Sequence, residues 1–170
     1  DKSFLKIPKE VINSIMKNHQ KYFSVYSTSK MSSLVSKFIF VAGSPYLDNN
    51  KVVKGNEKVL AARLNDGKFF YEEDIKSGLE KIRDKIDHIT FIEGIGSYGD
   101  KARRVGKLAL KIRDMLGLNI DVDDIIKTSE LCKADLASQM VFEFPELQGI
   151  MGGYYYCLLY TSDAADDPWS

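Results

Sequence analysis

The sequence predicts an α+β fold that is mostly helical. From residue 50 onward, apolar residues recur at the three- and four-residue spacing of helices, most clearly between 54 and 74. Before residue 50, short segments rich in β-branched and aromatic residues predict strands instead. The cluster GSPYLDNN at 43–50 separates the two patterns and is typical of a turn. We therefore predict that residues 1–49 end one α+β domain and that residues 50–155 form a helical domain.

The composition indicates a packed chain without bulk attraction for nucleic acid. At 170 residues the chain is long enough for one domain and part of another, and 44% of its residues are hydrophobic. Its 24 basic residues balance 24 acidic residues. Any contact with nucleic acid must therefore come from local basic patches rather than from net charge.

The two cysteines indicate a reducing compartment. Cys132 and Cys157 have no metal-ligand spacing and are expected to stay free thiols, so we predict a cytoplasmic protein. No run reaches the roughly 18 apolar residues of a membrane span, and no membrane partner is expected. Because the sequence begins at Asp1 rather than at methionine, we expect a piece of a longer protein.

The first predicted elements are a short helix and two strands. Pro8 suits the first position of a helix, whose apolar positions continue to about Asn18. Alternating and β-branched residues predict strands at 21–27 and 37–43. The serine-rich loop 27–36 would join these strands as a pair.

The segment 54–74 predicts a central helix enclosed by neighbours, because its apolar residues occur nearly all the way round a helical projection. A polar strip interrupts them, and its members are Asn56, Arg63, Asp66 and Asp74. Polar groups on an enclosed helix need hydrogen-bonding partners.

Further helices are predicted after Gly78. A short helix is expected at 79–87, followed by an extended segment and a glycine loop, and Asp100 can cap the helix that comes next. The apolar row of that helix is predicted to be Ala102, Val105, Ala109, Ile112 and Leu116. Another face carries a basic stripe, made of Arg104, Lys107 and Lys111. Such a stripe is either a solvated helix face or a phosphate-binding patch.

A helix is also predicted from Asp123 through Met140, and it carries Asp135 between two apolar rows. A carboxylate in such an arc needs a cation or several donors, and Arg63 of the central helix is the candidate partner. The alternative is that Asp135 lies at the surface edge of its helix.

The last predicted helix begins at Glu146, next to Pro145, and ends at about Tyr156. After it the helical spacing fails and the composition shifts to small and acidic residues. Residues 156–170 are therefore predicted to be a non-native tail.

A dinucleotide site is one enzymatic alternative. Gly94, Gly96 and Gly99 spell GxGxxG after a strand-like segment and before a helix, as in dinucleotide-binding folds. No chain of further βαβ units follows, however. The other interpretation is a glycine loop that lets the backbone turn tightly.

Metal and thiol chemistry are disfavoured. A metal-dependent hydrolase of the HD type needs several histidines and aspartates together, but the chain has only His19 and His88, and Ala134 precedes Asp135 where a histidine would stand. Cys132 has no local signature of a nucleophile, so we expect a buried core thiol. No catalytic residue and no metal site is predicted.

Four long blocks carry a more specific signal than any of these motifs. They are MKNHQKYFSV (16–25), VVKGNEKVLAARLNDGKFFYEED (52–74), FIEGIGSYGDKARRVGKLA (91–109) and KADLASQMVFEFPELQGIMGGYY (133–155). In this order they resemble the beta subunit of the bacterial two-subunit glycyl-tRNA synthetase, and the resemblance covers nearly everything from Phe4 to Tyr155. The chain departs from it in the serine-rich loop 27–36 and beyond Tyr155.

The resemblance implies a fold and a function. Residues before about 49 would finish a domain similar to the B3/B4 editing-like fold, and residues 50–155 would begin a helical domain similar to the HD superfamily. In that scaffold the metal ligands are missing and Asp135 remains as a structural anchor. The alpha subunit would hold the active site for glycine and ATP, while the beta subunit is needed for aminoacylation and contributes most of the tRNA binding.

The implied enzyme is a cytoplasmic heterotetramer in which ATP and Mg²⁺ are used by the assembled complex and no cofactor is bound by this chain. The fragment alone is then expected to be inactive. The alternative is a degenerate HD-type helical scaffold that serves as a protein-interaction module only.

Charge and aromatic placement, rather than the resemblance, nominate tRNA-binding residues. Near the N-terminus, basic side chains flank an aromatic pair able to stack on bases, and the basic stripe supplies a second group. The predicted tRNA-binding residues are Lys17, His19, Lys21, Tyr22, Phe23, Arg104, Lys107 and Lys111. Arg63 and Asp135 are the predicted structural polar pair.

Overall fold

The computed structural model describes residues 1–27, 33–43 and 49–165. The middle of the predicted serine-rich loop, most of the turn cluster at 43–50 and the end of the predicted tail fall outside these ranges. The described chain is mostly helical with two small antiparallel sheets, which confirms the predicted α+β class. It divides into two compact units, Asp1–Glu72 and Glu73–Ser170.

The elements run in the following order. The α-helices are α1 (Lys9–Ser14), α2 (Asn49–Ser77), α3 (Leu79–Asp84), α4 (Tyr98–Leu116), α5 (Val122–Leu131), α6 (Gln139–Glu143) and α7 (Ile150–Ala165). The strands are β1 (Phe23–Tyr26), β2 (Leu34–Ile39), β3 (Thr90–Ile92) and β4 (Gly96–Ser97). Short 3₁₀ turns lie at Lys2–Lys6, Lys85–His88, Ala134–Ala137 and Pro145–Leu147, and a π-helical turn, Ile15–His19, continues α1.

The first unit confirms that two strands pair, but β2 begins at Leu34, inside the predicted loop 27–36, and ends at Ile39 rather than at 43. β1 and β2 are antiparallel, with Phe23 opposite Ile39 and Tyr26 opposite Leu34. The helical turns before β1 supply most of the core, because Val11, Ile12 and Ile15 are almost completely buried. The predicted domain boundary at residue 49 coincides with the start of α2, and as a domain boundary it stays a prediction.

Helix α2 is buried along one line and not all round, so the prediction of an enclosed helix is wrong. Leu60 and Leu64 are buried on that line, whereas Val59 and Phe69 are 47% and 56% exposed. Gly67 continues the buried line, and a Cβ added there would lie 2.7 Å from the Ile15 side chain. The close approach of α2 to Ile15 therefore requires glycine at this position.

In the second unit, a buried carboxylate near the end of α2 determines where a later helix begins. Asp74 is 2% exposed and accepts hydrogen bonds from the backbone amides of Gln139 and Met140, both at 2.9 Å. The Tyr155 hydroxyl donates to the same carboxylate at 2.8 Å. The amides of Gln139 and Met140 belong to the first turn of α6, where backbone amides have no acceptor within the helix. The Asp74 carboxylate supplies that acceptor.

The continuous helix predicted from Asp123 to Met140 is therefore wrong. Helix α5 ends at Leu131, and the chain passes through a 3₁₀ turn before α6 starts. Ser138 caps α6, because its Oγ accepts from the Val141 amide at 3.1 Å and donates to the Asp135 carbonyl at 2.6 Å. Serine competes with helix continuation through such local bonds.

Candidate nucleic-acid interface

The basic group predicted near the N-terminus lies at the surface of the first unit. Lys17, His19 and Lys21 are exposed, and Phe23 is 59% exposed at the start of β1. Lys21 adopts a left-handed backbone conformation with φ 58°, and its ammonium donates to the Asn18 carbonyl at 2.9 Å. This conformation makes the sharp turn between the helical segment and β1.

Tyr22 is not available to stack on a base, which corrects the predicted role of this side chain. It is 8% exposed and its ring lies 5.0 Å from the Phe38 ring and 5.9 Å from the Phe40 ring. Its hydroxyl donates to Asn56 of α2, and burial raises the pKa of Tyr22. Tyr22 is a core residue, and of the predicted aromatic pair only Phe23 faces solvent.

The second group lies on α4, where Arg104, Lys107 and Lys111 are all exposed at spacings of three and four residues. They therefore share one side of the helix. The Arg104 guanidinium donates to the Ile95 carbonyl at 3.3 Å. We call these three residues the basic face of α4.

Lys101 extends the basic face toward the start of α4, although it was not among the predicted residues. Its ammonium lies 3.9 Å from the centre of the Phe91 ring, which in turn packs edge-on against Tyr98. The signal was present, because Lys101 stands three residues before Arg104. The cation–π contact holds this ammonium in place beside two half-buried aromatic rings.

A capping box fixes the start of α4. The Ser97 hydroxyl accepts from the Asp100 amide at 3.1 Å, and the Asp100 carboxylate accepts from the Ser97 amide at 2.9 Å. The cap residue is therefore Ser97 rather than the predicted Asp100. Backbone and side-chain hydrogen bonds from Ser97 and Arg103 lower the pKa of Asp100 to about 2.

Arg103 belongs to this cap and not to the basic face. Its guanidinium bridges Asp87 and Asp100, with both N···O distances at 2.8 Å. The hydrogen bonds that its guanidinium donates to Asp100 and Asp87 raise the pKa of Arg103. Two carboxylates thus satisfy this guanidinium within the protein, so we do not count Arg103 among the cations offered to a ligand.

The face of α4 that is buried differs from the predicted one. Ala102 and Gly106 are buried, and a Cβ added at Gly106 would lie 2.6 Å from the Ser129 hydroxyl of α5. Three members of the predicted apolar row, Val105, Ile112 and Leu116, are 43%, 46% and 66% exposed. Ala102 is buried as predicted, but Gly106, which was not in the predicted row, is the other buried residue, because small residues let the two helices approach closely.

Asp135 is buried as predicted, at 1% exposed, but its partners are backbone amides. The Gly149 and Gly152 amides at the start of α7 donate to its Oδ2, the latter at 3.1 Å. Arg63 lies exposed on α2 in the first unit, and its pairing with Asp135 stays a prediction. Glycine suits residue 152, because a Cβ there would lie 3.2 Å from the Asp135 carboxylate.

The glycines of the GxGxxG sequence form a hairpin rather than a nucleotide loop. β3 pairs antiparallel with β4; Gly94, in the turn between them, has φ of 80°, and Gly96, the first residue of β4, has φ of 112°. Gly99 lies under Asp87, whose carboxylate would collide with any Cβ there. A dinucleotide site needs a strand, a loop and a helix in a parallel βαβ unit, so this alternative is wrong for the described residues.

Cys132 is exposed, which corrects the predicted core thiol, and its Sγ donates to the Ser129 carbonyl at 3.1 Å. Among the side chains that the structure describes, in 1–27, 33–43 and 49–158, no three of His, Cys, Asp or Glu cluster as metal ligands would. None of the helices there has the length and apolarity to cross a membrane.

Comparison with known proteins identifies the family. A family model described as "Glycyl-tRNA synthetase beta subunit" matches residues 1–164, which reaches into the predicted non-native tail. A glycine–tRNA ligase beta subunit from Rickettsia bellii is 43% identical over 152 residues, covering 89% of this chain and 22% of the relative. The corresponding subunit from Halalkalibacterium halodurans is 42% identical over 156 residues, covering 91% of this chain and 22% of the relative.

A third relative, the subunit from Listeria welshimeri, is 42% identical over 159 residues, covering 93% of this chain and 23% of the relative. The chain thus spans less than a quarter of the length of the curated relatives it matches. The family model covers nearly all of the chain, in agreement with the four sequence blocks. The chain belongs to the glycyl-tRNA synthetase beta subunit family.

Proposed function

We propose that this chain is part of a glycine–tRNA ligase, where it contributes to tRNA binding and to assembly with an alpha subunit. The alpha subunit carries the active site in this proposal, and the assembled cytoplasmic heterotetramer uses glycine, ATP and Mg²⁺. Family membership supports a role in a glycine–tRNA ligase, and the naming of the relatives as beta subunits supports the presence of an alpha subunit in the enzyme.

The basic face of α4 is the observation that carries the tRNA-binding proposal. In a chain with no net charge, Arg104, Lys107 and Lys111 place three exposed cations along one side of a capped helix. Side chains on a regular helix keep a fixed spacing, which suits contacts to successive phosphates. Lys17, His19, Lys21 and Phe23 form the second proposed contact group.

The experiment is tRNA binding by a full-length beta subunit in which all three residues of the basic face are changed to alanine. Each cation that neutralises a phosphate contributes about 0.7–0.9 to the slope of log affinity against log salt, so the slope should fall by about 2 to 3. Association with the alpha subunit should be unchanged.

A matched control removes the same charge elsewhere. Lys9, Lys81 and Lys85 are three exposed lysines outside α4. Their triple alanine variant should keep the wild-type salt dependence. Equal slopes for the wild type and the α4 variant would contradict the proposed interface and favour the alternative, a helical scaffold that contacts only proteins.

A further inference from the structure

Helix α4 and the elements after it carry an exposed apolar surface that the proposed tRNA contact does not use. We call it the outer apolar face. Its members are Val105, Leu108, Ile112, Met115 and Leu116 on α4, Leu118 and Ile120 in the following loop, and Val122 and Ile126 on α5. Each is at least 38% exposed, and Met115 reaches 85%.

The outer apolar face is continuous along α4. Positions 105, 108, 112 and 115 follow the three- and four-residue spacing that places side chains on one side of a helix. This side lies next to the basic face and is separate from the side that packs Gly106 against Ser129 of α5. Helix α4 therefore has three sides, one packed on α5, one basic and one apolar.

Such a surface is costly to leave in water. Burial of a Leu, Ile, Val or Met side chain contributes about 1.5–3 kcal/mol, and contiguous apolar patches on folded proteins mark contacts with other chains or segments. Phosphates gain nothing from apolar side chains, so contact with the tRNA phosphate backbone does not account for it. A pair of packed helices buries a remaining apolar side most effectively against another helix.

The length of the relatives indicates where that helix comes from. This chain spans only 22% of the Rickettsia bellii subunit, so most of a beta subunit lies outside it. A segment of the same polypeptide is present at a high effective concentration and can cover the surface without a separate association step.

We infer that the outer apolar face is an internal docking face for an amphipathic helix of the beta subunit that lies outside these 170 residues. The docked helix packs its apolar side on Val105, Leu108 and Ile112, on the side of α4 that faces away from Lys107 and Lys111. The inference rests on family membership and holds whether or not the basic face binds tRNA.

Thiol protection tests this inference. Cys132 and Cys157 are exposed and are first replaced by serine. Leu108→Cys then reports on the outer apolar face, and Lys107→Cys, one residue away on the basic face, is the control. Maleimide modification rates are compared between the 170-residue chain and a full-length beta subunit that carries these residues in place of its matching region.

The thiol of the Leu108→Cys variant should react readily in the 170-residue chain and roughly 100-fold more slowly in the full-length subunit, because reaction there requires local opening. The control thiol should react equally in both. If the Leu108→Cys variant does not fold, Met115→Cys serves the same purpose, since Met115 is the most exposed member of the face.

Two results would overturn the inference. Equal rates for the reporter in both proteins would show that no segment of the beta subunit covers the face. Protection that appears only after the alpha subunit or tRNA is added would assign the face to that partner. Protection of the Lys107→Cys thiol by tRNA separately tests the proposed tRNA contact, so the two ideas can fail independently.

Discussion

Asp74 is a buried residue on α2 whose side chain is hydrogen-bonded to both α6 and α7. Its carboxylate accepts hydrogen bonds from two backbone amides of α6 and from the Tyr155 hydroxyl of α7, and it is almost completely buried. A single side chain therefore joins three helices of the second unit. Any change that removes its oxygens leaves buried donors without acceptors.

Asp74→Ala should lower the free energy of unfolding by about 3–5 kcal/mol, since each buried donor left unsatisfied costs about 1–3 kcal/mol. Urea unfolding followed by circular dichroism measures the difference. Asp66→Ala is the control, because Asp66 is exposed on the same helix. Its effect should stay within about 0.5 kcal/mol. Equal destabilisation by both substitutions would contradict the role given to Asp74.

The Asp100 carboxylate predicts a pH dependence in the capping box of α4. Hydrogen bonds in the folded state lower its pKa from 3.8 to about 2. A depressed folded pKa contributes stability above the unfolded pKa, and this contribution is lost as the pH falls through the folded value. Asp100→Asn should therefore reduce stability at neutral pH.

The measurement is the difference in unfolding free energy between wild type and Asp100→Asn as a function of pH. It should be constant down to about pH 5 and should shrink between about pH 4 and pH 2. If the difference in unfolding free energy stays unchanged at about pH 2, the charge of the Asp100 carboxylate does not stabilise the capping box.

At the scale of elements, the packing of α4 on α5 depends on Gly106. A methyl group there would lie 2.6 Å from the Ser129 hydroxyl, so this hydroxyl must leave its hydrogen bond to the Ile126 carbonyl or the helices must move apart. Gly106→Ala should destabilise the chain even though alanine is favoured over glycine in helices by about 1 kcal/mol. Thermal unfolding of the variant measures the balance of the two effects.

Two variants make the Gly106 test specific. Gly55 lies in α2, where an added methyl group would have no atom within 4 Å, so Gly55→Ala should stabilise the chain. Adding Ser129→Ala to Gly106→Ala removes the colliding hydroxyl and should recover most of the loss. No recovery in the double variant would place the cause of the destabilisation elsewhere.

Helix α4 also illustrates what sequence periodicity can and cannot predict. The spacing of Arg104, Lys107 and Lys111 correctly placed three cations on one exposed side. The same reasoning correctly chose Ala102 for the buried row, but it also chose Val105, Ile112 and Leu116, which are exposed, and it missed Gly106, which is buried. Small residues allow close helix contact, and hydrophobicity alone gives them too little weight.

The break between α5 and α6 could not be predicted from local sequence. The residues from Asp123 to Met140 have a helical apolar pattern, but Asp74 supplies acceptors to the amides of Gln139 and Met140. That contact joins positions more than 60 residues apart. Only Ser138, a residue suited to a helix cap, gave a local sign of the break.

For the whole chain, the fold class and the family were both predictable. The change from strand-like to helical patterns predicted the α+β class, and four ordered blocks identified the family before any geometry was known. The partner of Asp135 was not predictable, because backbone amides of Gly149 and Gly152 have no signature in a charge pattern. The predicted burial of the Asp135 carboxylate suggested an arginine as its partner.

The most direct test of the proposed role in tRNA binding is steady-state aminoacylation of tRNA with glycine and ATP. It uses the alpha subunit with a full-length beta subunit that is either wild type or changed to alanine at Arg104, Lys107 and Lys111. We predict that the KM for tRNA rises roughly tenfold or more while the KM values for glycine and ATP stay the same. We also predict no glycyl-tRNA from the 170-residue chain alone. An unchanged KM for tRNA, or product formation by this chain without an alpha subunit, would contradict the proposal.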